Sequence, residues 1–174
     1  MRPRLEIRLA REDDARAIGV LVRRCTRQDV FPDQTTRARA HLMAMMTARA
    51  ERERIAAGKR YHVAEIGGRL AGVVATRDDS HIFRLFVSRR FRRRGVARAL
   101  LQRAITDCLR RARTRRFTLN ASKFAIPAYR RLGFVAAGRL VARGPGGVIA
   151  APMVLKAAAP AGVRASAAGR KRHN

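Results

Sequence analysis

Residues 80–109 decide the fold, and they read SHIFRLFVSRRFRRRGVARALLQRAITDCL. The apolar run Ile82–Val87 predicts a strand, and an arginine-rich loop then leads through Arg94-Gly95 into a helix. Over residues 95–111 the apolar side chains recur at helical spacing on one face. Free backbone amides converge where a loop enters a helix, and the helix dipole adds partial positive charge there. A strand, a loop and a helix in this order therefore predict a site for phosphate.

The length and composition indicate one soluble domain with an apolar core. The chain has 174 residues, of which 47% are hydrophobic, so a wholly disordered protein is excluded. Cys25 and Cys108 each fall on an apolar helical face and are expected to be buried free thiols. The N-terminus, MRPRLEIRLAREDD, lacks an apolar signal core, and no run approaches membrane-spanning length. We therefore expect a cytoplasmic protein that does not contact a membrane.

The charge of the chain is strongly positive. Forty Lys and Arg residues face 12 acidic residues, which gives a formal net charge of +28 and a pI near 12.0. Such a field attracts polyanions, and nucleic acid or the ribosome would be a partner of this kind. The alternative is a compositional bias, because arginine is spread along the whole chain. No RNA-binding motif or aromatic stacking platform accompanies the charge, which favours the compositional explanation.

The N-terminal third predicts one strand and two helices. Leu5–Leu9 alternates apolar and polar residues and predicts the first strand, and residues 13–25 predict the first helix. The second helix is expected to begin at residue 35 or 36 and to end at Gly58. Within it, Glu51 and Glu53 lie among arginines at helical spacing, which predicts a solvated face of ion pairs.

Strands dominate the remainder of the chain. A hairpin is predicted around Gly67-Gly68, because two glycines supply the positive φ angles of a tight turn. After the helix of the opening stretch, the predicted elements are a strand at 117–120, a brief helix from about Ser122 to Gly133, and strands at 134–141 and 148–155. Residues 157–174 are mainly Ala, Gly and Arg and are predicted to be a disordered basic tail.

Three local matches carry a resemblance to a known family. The segment Arg92–Ala97 follows the strand HIFRLFV and fits the pattern Arg/Gln-x-x-Gly-x-Gly/Ala. In LNASKFAIPAYRRLGF, Tyr129 lies four residues before the glycine of the pair Gly133-Phe134. The pairs Gly147-Val148 and Pro152-Met153 follow towards the end of the domain, as in a subgroup of small stand-alone bacterial acetyltransferases. In this order and spacing, the matches resemble the GCN5-related N-acetyltransferase (GNAT) family over residues 4–156.

The resemblance implies a fold and an activity. The fold would be of the α/β (α+β) class, with a mostly antiparallel mixed sheet of about seven strands flanked by four helices. Its order would be β-α-α-β-β-β-α-β-α-β-β, within a domain of residues 1–156. The activity would be transfer of an acetyl group from acetyl-CoA to a primary amine of a small molecule or protein, by direct attack on the thioester. The acceptor is left unidentified, and either a monomer or a homodimer is compatible with the resemblance.

The resemblance also implies roles for particular residues. The pyrophosphate of coenzyme A would lie on the loop formed by Arg92, Arg93, Arg94, Gly95, Val96 and Ala97. Backbone groups of Leu85, Phe86 and Val87 would bind the pantetheine arm. Asn120 would bond the arm or the acceptor, although an ordinary strand-ending residue is an equal alternative. Tyr129 would give a proton to the departing thiolate, and the alternative is a core tyrosine.

The general base is where the sequence departs from the resemblance. Many relatives place a glutamate on the strand before the phosphate loop, and here that place is taken by Phe83 and Arg84. His81 starts the strand and by alternation shares a face with Phe83, Leu85 and Val87, but it is more simply a turn-end residue. Loop residues Asp29 and Asp33 would suit a cationic acceptor or serve no specific role. No His/Cys cluster has metal-ligand spacing, so no metal is expected.

Two other classes of function remain open from the sequence. One is a basic protein associated with nucleic acid or the ribosome that keeps the fold. The other is a catalytically silent module that binds acyl-CoA.

Overall fold

The computed structural model describes residues 4–157, which form a mixed sheet of eight strands with helices on both faces. The elements in chain order are β1 (Leu5–Leu9), α1 (Ala15–Asp29), α2 (Thr36–Met45), α3 (Ala48–Ala56), β2 (Arg60–Ile66), β3 (Arg69–Arg77), β4 (His81–Val87), α4 (Val96–Ala112), β5 (Arg116–Ala121), α5 (Ile126–Arg131), β6 (Val135–Ala136), β7 (Val141–Arg143) and β8 (Val148–Lys156). The predicted α/β class and order of elements are confirmed, with one strand and one helix more than expected. The predicted basic tail, apart from Ala157, lies outside the described residues.

The order of strands in the sheet opens a gap at its centre. The order is β1-β2-β3-β4-β5-β8-β6, with β7 also paired to β8. Every neighbouring pair is antiparallel except β4 and β5, which are parallel and joined within the described chain by the single residue pair His81–Thr118. Beyond this pair the two strands separate. The backbone of β4 is therefore free of strand partners on one side over its C-terminal half.

Two apolar clusters, one on each face of the sheet, fix the position of the strand β4 beside the gap. The helix α4 packs on one face, where Val96, Leu100, Leu101, Ala104 and Cys108 are all at most 3% exposed. The other face is covered by α1 and neighbouring residues, including Ile18, Val22, Cys25 and Met46. Both cysteines are buried free thiols, as the sequence predicts. The apolar faces of α1 and α4 thereby fix both sides of β4.

The predicted second helix is divided into α2 and α3. The break falls at Thr47, whose hydroxyl accepts a hydrogen bond from the Ala50 amide at 3.1 Å and so caps a new helix. Helix α1 approaches this second start closely, because a Cβ added at Gly19 would lie 3.1 Å from the Ala48 nitrogen. The cap starts α3 in a new direction, and the absence of a side chain at Gly19 allows α3 to pack closely against α1.

A bulge in β4 changes which side chains face which helix. Arg84 pairs with Ala75 and Ile82 with Thr76, so Phe83 is an extra residue without a partner on β3. Phe83 packs with the α1 cluster, whereas Leu85 and Val87 pack with the α4 cluster. The expected alternation that placed Phe83 on the face of Leu85 is therefore wrong, and the bulge is the reason.

The strand predicted at 134–141 is interrupted. Its two parts pair with β8 on either side of residues 137–140, which lie opposite only Ala151 and Pro152. A Cβ at Gly138 would lie 2.7 Å from the Pro152 ring, so the chain passes this proline closely and leaves the ladder.

Candidate active site

A cleft of about 850 Å³ lies where β4 and β5 separate. Its walls come from both faces of the sheet: the C-terminal half of β4, the start of α4, the end of α1, α5, and the first residues of β8. This volume lies in the upper part of the range of small-molecule sites, roughly 300–1,000 Å³. The cleft is therefore large enough for a ligand of cofactor size.

The loop before α4 presents consecutive backbone amides to this cleft. Arg93 has φ +61° and Gly95 has φ +75°, and these left-handed residues curve the loop into a concavity. Within the described chain, the amides of residues 93–98 donate no hydrogen bond, and Ala99 is the first residue of α4 whose amide is paired. Six free amides at the positive end of a helix form a strong site for a phosphate or diphosphate.

The arginines of this loop have different surroundings. Arg92, Arg93 and Arg98 line the cleft, together with Gly95, Val96 and Ala97. Arg94 lies instead over the ring of Phe91, 5.7 Å from its centroid. The loop that the sequence predicts as the phosphate site is thus at the cleft, although the Arg94 side chain is directed elsewhere.

Asp29 holds one of these arginines. It is the last residue of α1 and only 7% exposed, and it bonds the guanidinium groups of both Arg92 and Arg89. The Arg92 Nε also donates to the Val87 carbonyl at 3.3 Å. Among the described residues that line the cleft, Asp29 is the one acidic side chain, and both its oxygens are occupied.

The backbone of β4 supplies further polar groups. The Ser88 amide bonds the Ala71 carbonyl, so by the alternation of an antiparallel ladder Phe86 pairs with β3. The main-chain groups of Leu85 and Val87 consequently face the gap, while Phe86 contributes its side chain to the cleft wall. An extended ligand in the gap would meet the Leu85 groups and the Val87 amide as a neighbouring strand does, whereas the Val87 carbonyl already accepts from Arg92.

Tyr129 and Asn120 line the opposite side of the cleft. The Tyr129 ring packs edge-on against Phe134 with centroids 5.7 Å apart, and its hydroxyl has no hydrogen-bond partner among the described residues. Burial raises the pKa of this phenol to about 12, so the hydroxyl keeps its proton at neutral pH. Asn120 is exposed on β5. Both residues are available to a ligand rather than occupied within the fold.

A buried cluster of charge lies behind β4 and was not anticipated. Glu51 is fully buried and accepts hydrogen bonds from the Tyr61 hydroxyl at 2.5 Å and from Arg84 at 3.2 Å, with Arg54 at 3.4 Å. The expectation that Glu51 lies on a solvated face is wrong. Its neighbour Glu53 does lie on such a face, paired with Arg49. The sequence does indicate one member of this cluster: Arg84 is a charged residue within an apolar strand, so it needs a buried partner.

The remaining part of the cleft is mostly apolar. It is formed by Val30, Leu42, Met46, Phe86, Val148 and Ile149. The buried amide of Gln34 closes this part by bonding both main-chain groups of Ile149, at 2.9 and 2.7 Å. Sequence reasoning missed Gln34, since its partner is more than a hundred residues away.

The other candidates lie away from the cleft. His81 bonds the Thr118 hydroxyl at 2.9 Å, and neither His81 nor Asp33 belongs to the cleft wall. Within residues 4–157, no three His, Cys, Asp or Glu side chains are grouped so as to hold a metal ion. In the same part of the chain, no helix is both long and apolar enough to cross a membrane.

Comparison with protein families identifies a match over most of the chain. A model described as an acetyltransferase (GNAT) domain matches residues 22–157. A search of curated proteins gave no significant match.

Solved structures share the fold at low sequence identity. A GCN5-related N-acetyltransferase from Rhodopseudomonas palustris is 20% identical, with 90% of this chain and 96% of that chain covered and a TM-score of 0.74. The PaiA N-acetyltransferase from Thermoplasma acidophilum, in complex with coenzyme A, is 13% identical, with 88% and 99% covered and a TM-score of 0.69. The yncA protein of Salmonella typhimurium, with acetyl-CoA, is 19% identical, with 93% and 99% covered and a TM-score of 0.61.

Proposed function

Because the chain belongs to the GNAT acetyltransferase family, we propose that it transfers an acetyl group from acetyl-CoA to a primary amine. The observation that carries the proposal is the run of six unpaired amides, residues 93–98, at the mouth of the gap between β4 and β5. The gap suits an extended arm, and the amides suit a pyrophosphate at its end. The structures of PaiA with coenzyme A and yncA with acetyl-CoA support this choice of ligand for the shared fold.

The cofactor half of the site would comprise the predicted residues, except for the main chain of Phe86 and the side chain of Arg94. The amides of the Arg92–Ala97 loop and of Arg98 bind the pyrophosphate, and the guanidinium groups of Arg92 and Arg93 add charge-assisted bonds. Leu85 and Val87 bind the pantetheine arm through main-chain groups, and Asn120 reaches it from β5. Of these groups, the Leu85 amide is the donor that we assign to the thioester oxygen, which gains charge as the amine attacks.

The reaction requires one bond to form and one to break. The amine nitrogen attacks the thioester carbon, the carbon–sulfur bond breaks, and the thiolate leaves. Tyr129 donates its hydroxyl hydrogen to the sulfur as charge develops there. A phenol pKa of about 12 against roughly 8.5 for a thiol makes complete proton transfer unfavourable by about 5 kcal/mol. Tyr129 thus acts mainly as a hydrogen-bond donor that stabilises the thiolate and keeps its own proton. The attacking nitrogen loses one proton to water, and the released thiolate takes up one proton from solvent.

The acceptor must arrive as a neutral amine. Asp29 is the one carboxylate among the described residues of the cleft wall, and both its oxygens are bonded to arginine. The ammonium proton is therefore lost to water before attack. The positive charge of Arg84 in the wall favours this loss, because a cation destabilises another cation nearby.

The test is a screen of amine acceptors with acetyl-CoA, read as release of the free thiol of coenzyme A. We expect release that depends on an amine. Acetyl-CoA binding without release for any amine would instead favour a silent acyl-CoA-binding module. Failure to bind acetyl-CoA at micromolar concentration would reject both, and RNA binding that persists at physiological salt would then favour the polyanion-binding alternative. The cytoplasmic location and the choice between monomer and homodimer remain predictions.

A further inference from the structure

Arg84 is buried in the cleft wall with most of its hydrogen-bonding capacity unused. Its side chain is 8% exposed and lines the cleft. Of its five N–H groups, one binds the Phe83 carbonyl at 3.2 Å and one binds Glu51 at 3.2 Å. Its Nε has no partner among the described residues. Because burying an unpaired donor is costly, such a group indicates a partner that arrives with a ligand.

The charges around Arg84 do not balance. Glu51 is the carboxylate shared by Arg84 and Arg54, and its third partner, Tyr61, is neutral. Burial, and then the neighbouring Glu51, raise the pKa of Tyr61, which keeps its proton. The cluster therefore holds one more positive than negative charge. The carboxylate of Asp29 cannot compensate, since it is already bonded to other arginines.

The position of Arg84 relates this excess charge to the reacting atoms. Arg84 directly precedes Leu85, whose amide we assign to the thioester oxygen, and adjacent Cα atoms are about 3.8 Å apart. The bulge at Phe83 turns Arg84 to the face of the sheet that carries the apolar part of the cleft, with Leu42 and Met46. Arg84 and Leu85 are thus adjacent residues that line the same cleft, so a small acceptor held at Arg84 can present its amine to the thioester.

We propose that Arg84 binds the carboxylate of the acceptor and that the acceptor is an α-amino acid with an apolar side chain. This inference rests on the proposed acetyl transfer to an amine. The planar guanidinium can give two parallel hydrogen bonds to a carboxylate, and the apolar cleft residues contact the side chain. An analogue without the carboxylate leaves the buried donors of Arg84 unpaired. A site discriminates strongly against such an analogue, because unpaired buried donors are costly.

The first experiment compares leucine, leucinamide and 3-methylbutylamine as acceptors for the wild-type protein. Rates are compared at equal concentration of the free base, because the three amines differ in pKa: the amide of leucinamide lowers it relative to leucine, and 3-methylbutylamine, which lacks the carboxyl group, has a higher one. We expect kcat/KM for leucine to exceed that for leucinamide at least about tenfold, as a buried charge-assisted hydrogen bond implies. Equal or faster turnover of leucinamide would overturn the inference while leaving the proposed function intact.

Variants test whether Arg84 is responsible for the preference for leucine over leucinamide. Arg84→Met should reduce the preference for leucine to within about threefold, while Glu51 keeps Arg54 and Tyr61 as partners. Arg84→Lys should retain part of the preference, because lysine keeps the charge but loses the planar fork. The matched control is Arg54→Met, which removes another partner of Glu51 but does not line the cleft, and it should keep the full preference. Equal loss of preference in the Arg54 and Arg84 variants would contradict the inference.

A binding measurement decides the matter without turnover. N-acetylleucine and N-acetylleucinamide are titrated by calorimetry into the protein saturated with coenzyme A. We expect the wild type to bind N-acetylleucine at least about tenfold more tightly than N-acetylleucinamide. Arg84→Met should lose this difference. Equal binding of the two would overturn the inference even if some other amine is acetylated. Tight binding of the anion with no acetylation of any amine would support a carboxylate site at Arg84 but reject both its role in acceptor binding and the proposed function.

Discussion

Replacement of Gly95 by alanine tests whether the shape of the phosphate loop determines cofactor affinity. Gly95 has φ +75° at the start of α4, and a Cβ added there would meet no atom within 4 Å. The substitution therefore introduces conformational strain without a clash inside the protein. A left-handed L-residue costs about 1–2 kcal/mol, which corresponds to a fall in melting temperature of roughly 2–8 °C for a chain of this size.

Any part of this strain that the free protein relieves by relaxing the loop should weaken binding of acetyl-CoA instead of lowering the melting temperature. In the relaxed loop the six amides no longer converge, and the cofactor must restore the strained form. If all of the strain is relieved in this way, the affinity should fall by roughly 5- to 30-fold, since about 1.4 kcal/mol corresponds to a factor of ten. Calorimetric titration at 0.15 M salt measures this, with salt held constant because arginine contacts to phosphate depend on it.

Two controls separate loop shape from other effects. Gly58 also has a positive φ, +80°, and space for a Cβ, but it lies outside the cleft wall. Gly58→Ala should lose similar stability without losing affinity. Gly95→Asn should bind more tightly than Gly95→Ala, because asparagine tolerates the left-handed region better. An unchanged affinity in Gly95→Ala, or weaker binding by Gly95→Asn than by Gly95→Ala, would show that the shape of the loop does not determine the affinity for acetyl-CoA.

Four further outcomes follow from the site and the core. Tyr129→Phe should lower kcat about 100-fold and leave acetyl-CoA affinity within about twofold, and an unchanged kcat would contradict the role of the hydroxyl. Asp29→Asn should strengthen acetyl-CoA binding about threefold or more by releasing Arg92 from its ion pair, whereas weaker binding would show that Asp29 positions the arginine. Below the pKa of the acceptor amine, kcat/KM should rise about tenfold per pH unit, and a plateau that is independent of the acceptor would reveal a base on the protein. Burial lowers the pKa of His62, so below pH about 6.5 only the unfolded chain gains its proton and the free energy of unfolding should fall by up to about 1.4 kcal/mol per unit. His62→Gln should flatten that slope in urea titrations, and an identical slope would exclude His62 as its source.

The sequence predicts best those elements whose information is local. The helix α4 has one apolar face repeated along its length, and Gly67-Gly68 specify their turn by positive φ angles of +59° and +69°. The phosphate loop is also local, since the strand, the glycine and the helix follow one another directly. The structure confirms the helix, the turn and the strand–loop–helix order, and the phosphate-binding role of the loop remains a prediction.

The environment of charged residues was beyond sequence reasoning because it depends on distant partners. Arginines surround Glu51 along the chain, a pattern that predicts exposure, yet its main partners, Tyr61 and Arg84, come from two strands of the sheet. The bulge at Phe83, which turns Arg84 toward Glu51, leaves no mark in the alternation of strand residues. The hydrogen bonds between the Gln34 side chain and the main chain of Ile149 likewise join segments that are separated by most of the chain.

The most direct test of acetyl transfer to an amine uses acetyl-CoA labelled with ¹³C in the acetyl group. The wild-type protein is incubated with the labelled donor and an amine acceptor, and mass spectrometry quantifies both products. Acetyl transfer gives one labelled N-acetyl group on the amine for each coenzyme A thiol released. Thiol release without labelled amine, which would mean hydrolysis, or the absence of both products despite acetyl-CoA binding, would contradict it.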